Sequence, residues 1–149
     1  MSITFADLPL RKSTIDALNA HGFTSPFPIQ EAVLPIALSD GDVIGQAKTG
    51  TGKTLGFGIP IIERIIAPLD SEWEALEFKG QPQALVVVPT RELCVQVTKD
   101  IAELVGNRGI RVLAVYGGRA FEPQIEALEQ GVEIVVGTPG RLLDLYRQG

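Results

Sequence analysis

The 149-residue sequence has very few of the residues that build metal centres and hydrolytic triads. Cys94 is its single cysteine and His21 its single histidine. This excludes an internal disulfide and a cysteine cluster around a metal, and it gives little support to a Ser-His-Asp triad, so both residues are interpreted as structural. A lone cysteine is typical of a protein in a reducing cytosol, so we expect a cytoplasmic location.

Long hydrophobic runs and an excess of basic charge are also lacking. No apolar stretch approaches the ~18 residues of a membrane span, and the first residues do not resemble a signal peptide, so no membrane contact is expected. The net charge of −5 argues against a broad basic surface, and nucleic-acid binding would have to use local sites. With 45% hydrophobic and 21% charged residues, the chain suits one α/β domain.

Apolar runs rich in β-branched residues alternate with helical patterns along the chain. The predicted strands cover residues 42 to 46, 84 to 88, 111 to 116 and 133 to 136. The predicted helices cover residues 13 to 20, 28 to 38, 53 to 66, 90 to 105, 123 to 130 and 139 to 147. This order predicts a parallel sheet with helices on both faces and with ligands beyond the carboxyl ends of its strands. Residues 67 to 82 are interpreted as a surface excursion with one helical turn, anchored by Trp73.

Residues 47 to 54 read Ala-Lys-Thr-Gly-Thr-Gly-Lys-Thr and follow the first predicted strand. This stretch predicts a phosphate-binding loop whose backbone N–H groups surround the phosphates of a nucleotide. Lys53 offers a charge for the outer phosphates and Thr54 a hydroxyl for Mg²⁺, so these two are the candidate catalytic residues. The positive end of the following helix adds to the attraction for anions. The predicted ATP-binding residues of the loop are Ala47, Lys48, Thr49, Gly50, Thr51, Gly52, Lys53 and Thr54.

The segment from Gly22 to Gln30 contains a candidate base-binding pair. A glutamine amide presents one donor and one acceptor side by side, which match N6 and N7 of adenine, whereas guanine has acceptors at both positions. Gln30 is therefore predicted to select ATP over GTP, and Phe23 to stack on the base. Taken alone, the two residues would be better interpreted as an exposed glutamine at a helix start and a core phenylalanine.

In combination, these segments resemble the DEAD-box family of ATP-dependent RNA helicases. Residues 22 to 30 match its Q motif, and Phe5 stands where the family has an isolated upstream aromatic, so the Q-motif region is taken as residues 5 to 30. Residues 47 to 54 match the first helicase motif, in which a leading alanine is normal. The later matches are Pro89-Thr90-Arg91-Glu92-Leu93 as motif Ia, Gly117-Gly118 as the glycine doublet and Thr138-Pro139-Gly140-Arg141 as motif Ib. The resemblance covers essentially the whole chain and implies a RecA-like P-loop NTPase fold.

The later motifs suit contacts with a sugar-phosphate backbone. Thr90 and Thr138 each end a predicted strand and can cap the next helix, whose free N–H groups then face a phosphate. Arg91 and Arg141 carry charged forks, and the glycine doublet permits close approach. The resemblance implies sequence-independent RNA binding. The predicted RNA-binding residues are Pro89, Thr90, Arg91, Gly117, Gly118, Thr138, Pro139, Gly140 and Arg141.

No apolar strand in the sequence ends in the Asp-Glu pair that would organise Mg²⁺ and the attacking water. In the family this motif follows motif Ib, so residues 1 to 149 resemble the first part of an N-terminal RecA-like lobe, with the metal-organising acid and the second lobe beyond Gly149. We expect this part of a duplex-unwinding, RNA-dependent ATPase to bind nucleotide without hydrolysing it, and to self-associate through sheet edges exposed by truncation.

Two alternatives stay open at this point. The chain could act as a non-catalytic nucleotide-binding or RNA-binding module. It could also be a P-loop kinase or a transport ATPase, although that function would leave residues 22 to 30 unexplained.

Overall fold

The computed structural model describes residues 3 to 48 and 52 to 149. Thr49, Gly50 and Thr51 of the predicted phosphate loop lie outside the described residues. The chain divides into two compact units, of which the first comprises Met1–Arg64 with Glu103–Asn107 and the second comprises Ile65–Ala102 with Arg108–Gly149. Among the described helices, none has the length and apolar character needed to cross a bilayer.

The first unit is helical. It contains α1 (Lys12–Ala20), α2 (Pro28–Leu38) and α3 (Lys53–Arg64), with a short 3₁₀ turn at Phe5–Asp7. Helices α2 and α3 pack closely, because Gly56 brings the α3 backbone so near that a Cβ there would lie 3.3 Å from Val33 Cγ2. Glu63 of α3 fixes the start of α1 by accepting a 2.6 Å hydrogen bond from the Thr14 hydroxyl. The buried core of the first unit includes Phe5, Leu18, Leu34, Ile59 and Ile62.

The strand predicted at residues 42 to 46 is wrong. The structure gives this segment no regular secondary structure, and Ile44 is 99% exposed. A β-branched run favours a strand only where a neighbouring strand pairs with it, and the described three-stranded sheet does not include these residues.

The second unit contains a parallel sheet with its crossover helices. In chain order it has β1 (Ala84–Val87), α4 (Arg91–Ala102), β2 (Val112–Val115), α5 (Phe121–Gln130), β3 (Ile134–Gly137) and α6 (Pro139–Arg147). The central strand β3 pairs in parallel with both neighbours, and Val135 stands opposite both Leu85 and Leu113. Residue patterns therefore predicted these elements correctly, with ends displaced by at most three residues, as at Ala102 against the predicted 105.

Helices of the second unit pack against the sheet and contribute to its core. Helices α4 and α5 pack against it, and buried Val115, Val132 and Val135 contact Leu142 and Leu145 of α6. The surface excursion has the predicted single turn as a 3₁₀ helix at Ser71–Ala75, in which Trp73 is half-buried.

Candidate functional site

Gln30 connects the start of α2 to the end of the glycine-rich loop. Its amide nitrogen Nε2 donates to the Gly52 carbonyl at 2.9 Å, and its Oε1 accepts the Phe27 N–H at 3.0 Å. Pro28 occupies the first helical position, so Gln30 is the third residue of the helix and reaches back to the residue before it, as in a capping box. The side chain is buried with 1% exposure, so the predicted adenine-reading amide also supports the loop.

Gly52 has no room for a side chain. Its φ is +80°, a region that L residues avoid, and an added Cβ would overlap both the Gln30 amide and the Phe27 ring. The turn of the predicted phosphate loop is one reason for a glycine at this position. The contact with Gln30 supplies a second, steric reason. Phe27 is 48% exposed and is an aromatic candidate that sequence reasoning missed, since Phe23, which is half-buried, matched the base-stacking position better.

Lys53 begins α3, and its ammonium Nζ donates to the Ala47 carbonyl at 2.6 Å. This hydrogen bond links Ala47, the first residue of the predicted loop, to Lys53 near the end of the loop. Thr54 follows as a half-buried residue, and Lys48 is exposed. Because the described residues contain no cluster of three or more His, Cys, Asp or Glu side chains, a metal ion here would depend on the Thr54 hydroxyl and on nucleotide phosphates.

The second unit carries an open cleft of about 640 Å³. It is lined by Pro89, Thr90, Arg91, Glu92, Gly117, Gly118, Thr138, Gly140, Arg141 and Asp144. Every predicted RNA-binding residue except Pro139 is in this set, and Pro139 is the first residue of α6. The convergence has a simple cause, since β1, β2 and β3 are parallel and the three motifs follow their carboxyl ends.

The two threonines do not act alike. The Thr90 hydroxyl Oγ1 accepts the Leu93 N–H at 3.2 Å and caps α4, as predicted. Thr138 precedes α6, but its side chain makes no cap hydrogen bond, so the predicted cap is wrong there. The Thr138 backbone N–H instead donates to the Val115 carbonyl at 3.0 Å, which ties the start of α6 to the end of β2.

Arg91 lies directly over the glycine doublet. Its Nη1 donates a long hydrogen bond of 3.4 Å to the Gly117 carbonyl, and the side chain stays exposed. Gly118 has a φ of +77°, and a Cβ there would overlap the Arg91 guanidinium. The second glycine is therefore required by its backbone conformation, whereas the exposed arginine side chain could move away from an added Cβ.

The Arg141 side chain makes its contacts within the protein. It is only 8% exposed, and its guanidinium lies 4.0 Å from the centroid of the Phe121 ring. Its Nη1 donates to Gln124 Oε1 at 3.1 Å and its Nη2 to the Arg119 carbonyl at 2.8 Å, while the buried Nε has no partner. The phosphate contact inferred for this residue stays a prediction.

Gln124 and Arg119 accept hydrogen bonds from the cleft residue Arg141, and neither was predicted from the sequence. Gln124 is four residues before Leu128, so it lies on the apolar face of α5, and a glutamine in that position was the available signal. Arg119 is exposed, with its guanidinium 5.9 Å from the centroid of the Tyr116 ring. The cleft is of mixed charge, because Glu92 and Asp144 also line it.

Cys94 is a structural residue, as expected. Its thiol is buried and donates to the Val136 carbonyl at 3.2 Å. Burial raises the pKa of Cys94, which keeps the thiol protonated and unreactive.

Comparison with known proteins supports the motif matches. The family described as DEAD/DEAH box helicase matches residues 27–149. The ATP-dependent RNA helicase RhlB of Aliivibrio fischeri (strain MJ11) is 42% identical over 145 residues, which cover 97% of this chain and 33% of the relative. The ATP-dependent RNA helicase DeaD of Escherichia coli (strain K12) is 46% identical over 147 residues, which cover 98% of this chain and 22% of that protein.

The crystal structure of a DEAD box protein from the hyperthermophile Methanococcus jannaschii superimposes with a TM-score of 0.86 at 38% identity, over 100% of this chain and 38% of that one. The predicted RecA-like α/β fold is thereby confirmed. The chain spans about a third of the length of the RhlB relatives it matches. On the match over residues 27–149, the chain belongs to the DEAD/DEAH box helicase family.

Proposed function

We propose that this chain is the ATP-binding and RNA-binding part of an RNA-dependent ATPase that separates short RNA duplexes. One observation carries the proposal: three motifs far apart in the sequence line one cleft. The names of the similar RhlB and DeaD proteins, both ATP-dependent RNA helicases, support it. Of the two open alternatives, a P-loop kinase or transport ATPase gives no reason for that cleft. A non-catalytic nucleotide-binding or RNA-binding module would share the cleft and would differ in showing no turnover in the full-length protein.

ATP binding would use the first unit. The phosphates of ATP would lie against the loop at residues 47 to 54, where Lys53 would exchange its hydrogen bond with Ala47 for phosphate oxygens. Thr54 would bind Mg²⁺, which supplies positive charge against the phosphates when bound. An amide has two N–H groups and two lone pairs, so Gln30 retains one of each for adenine while it holds Gly52 and Phe27.

RNA binding would use the cleft of the second unit. Arg91 offers a charged fork, and the first turns of α4 and α6 offer free backbone N–H groups. Gly117 and Gly118 allow a sugar-phosphate strand to approach the backbone. Contacts of this kind reach phosphates and sugars and no base edges, so binding would not depend on sequence.

Hydrolysis would need groups that the described residues do not supply. None of the described strands ends in Asp or Glu, since β1, β2 and β3 lead into Val88, Tyr116 and Thr138. We therefore propose that residues 1 to 149 bind nucleotide without turnover, and that the acid and the arginines that stabilise the transition state come from the remainder of a two-lobed protein. A cytoplasmic location fits the buried free thiol of Cys94.

The test is RNA-stimulated phosphate release by the full-length protein and by residues 1 to 149. The full-length protein should hydrolyse ATP only with RNA, and Lys53→Ala should reduce that rate by orders of magnitude. Lys12→Ala is the control, because Lys12 is an exposed lysine that pairs with Asp16. Turnover by Lys53→Ala close to that of the parent would refute the assignment of the loop. RNA-stimulated turnover by residues 1 to 149 would show a catalytic carboxylate within them.

A further inference from the structure

One pair of side chains holds both ends of the glycine turn at residues 116 to 119. Gln124 Nε2 donates to the Tyr116 carbonyl at 3.1 Å, and Arg141 Nη2 donates to the Arg119 carbonyl at 2.8 Å. The two side chains also bond each other, Arg141 Nη1 to Gln124 Oε1 at 3.1 Å. The hydrogen-bond chain therefore runs from the end of β2 through α5 and α6 and back to the turn.

The pair is buried, whereas the glycine turn is not. Gln124 and Arg141 are 7% and 8% exposed, and Gly118 is exposed. A buried guanidinium is costly unless its donors find acceptors, and here a side-chain amide, a backbone carbonyl and the face of Phe121 supply part of that compensation. Each terminal nitrogen of Arg141 thus donates one hydrogen bond within the protein, whereas the side chain of Arg91 is exposed.

We propose that Gln124 and Arg141 are positioning residues that hold Gly117 and Gly118 in the conformation that binds RNA. The proposal rests on the proposed RNA-binding function of the cleft. Arg91 would make the direct phosphate contact, and Arg141 would act through the turn. Gln124 acquires a role that no motif assigned to it.

Two substitutions can break the hydrogen bonds of the pair while each keeps another property of the side chain. Lysine in place of Arg141 keeps the charge, but it lacks the planar fork that reaches Gln124 and the Arg119 carbonyl together. Leucine in place of Gln124 keeps the approximate volume and removes both hydrogen bonds. Gln130 is an exposed glutamine on the same helix, so Gln130→Leu is a matched control for the leucine substitution.

The first measurement is the backbone ¹⁵N order parameters of residues 117 to 119 in the 149-residue protein, because the pair bonds the carbonyls on either side of the two glycines. Gln124→Leu and Arg141→Lys should each lower the order parameters there from about 0.85 to below about 0.6, while Gln130→Leu leaves them unchanged. Unchanged order parameters in both pair variants would overturn the positioning role. Should Gln124→Leu fail to fold, Arg141→Lys decides the question by the same criterion.

The second measurement is the affinity of the full-length protein for single-stranded RNA across a salt series. Each pair variant should weaken binding by roughly tenfold, and the double variant by no more than either alone, because the two residues act as one unit. The slope of log affinity against log salt should stay at the parent value for the pair variants and change by about 0.7 for Arg91→Ala.

Two other outcomes separate the proposals. If Arg141→Lys binds like the parent, Arg141→Ala changes the slope by about 0.7 and Gln124→Leu has no effect, then Arg141 contacts phosphate directly and the positioning role is refuted. If Arg91→Ala leaves RNA affinity unchanged, the proposed RNA cleft fails, whereas the order parameters still decide whether the pair holds the turn.

Discussion

The amide of Gln30 and the carbonyl of Gly52 are joined by a hydrogen bond of 2.9 Å. The same carbonyl accepts the Gly56 N–H at 3.4 Å in the first turn of α3. A residue predicted to read the base is thus bonded to the backbone of the predicted phosphate loop. Any change at Gln30 should consequently affect both ends of a bound nucleotide.

Gln30→Glu should weaken ATP binding to residues 1 to 149 by more than the ~1 kcal/mol of one hydrogen bond. The substitution removes the donor to Gly52 and places a carboxylate oxygen against its carbonyl. Calorimetry with ATP and GTP would measure this, with the exposed Gln148→Glu as control. Equal affinities of the parent for the two nucleotides would show that Gln30 does not read the base.

Gly52→Ala should lower nucleotide affinity more than Gly22→Ala does. Both glycines have a positive φ, +80° and +79°, so both substitutions strain the backbone by about 1 kcal/mol. Only at Gly52 would the new Cβ overlap other atoms, those of Gln30 and Phe27, whereas nothing lies within 4 Å of a Cβ at Gly22. Chemical denaturation and calorimetry on both variants would separate the two effects; equal losses would argue against the steric one.

The sequence predicted the cleft well because one rule governs it. Residues after consecutive parallel strands meet at one edge of the sheet, so Thr90, Gly117 and Thr138 could be grouped without a structure. The contacts that Arg141 makes within the protein were harder to predict from the sequence. Whether Arg141 points to solvent or to Gln124 depends on how α6 packs against α5, and the motif itself does not contain that information. The strand predicted at residues 42 to 46 failed for a related reason, since a strand needs a partner.

The Arg111–Glu133 ion pair should stabilise the second unit. Glu133 is fully buried, and its carboxylate accepts hydrogen bonds from Arg111 Nη2 at 2.6 Å and from the Arg111 backbone N–H at 2.8 Å. The guanidinium is partly exposed, and the hydrogen bonds that it donates to Glu133 raise the pKa of Arg111. Arg111→Met would leave a buried carboxylate without its charged partner, which should cost about 3 kcal/mol.

Urea denaturation of residues 1 to 149 would measure this cost. Lys12→Met is the control, because the Lys12–Asp16 pair is exposed on both sides and should contribute within about 0.5 kcal/mol. A loss at Arg111 as small as that of the control would show that Glu133 is stabilised by other groups.

Residues 1 to 149 should self-associate through β1. This strand has one partner, β3, in the described sheet, so its other edge presents unpaired backbone N–H and C=O groups. Leu85 and Val87 add exposed apolar side chains, 60% and 56% exposed. Unprotected strand edges of this kind promote pairing between chains, and natural proteins block them with charged residues, lysine above all.

Leu85→Lys should therefore shift the protein towards monomer in sedimentation velocity. Leu143→Lys, at a leucine of 52% exposure on α6, should not. A monomeric parent at high protein concentration, or an equal effect of the two substitutions, would show that the edge of β1 is not the contact.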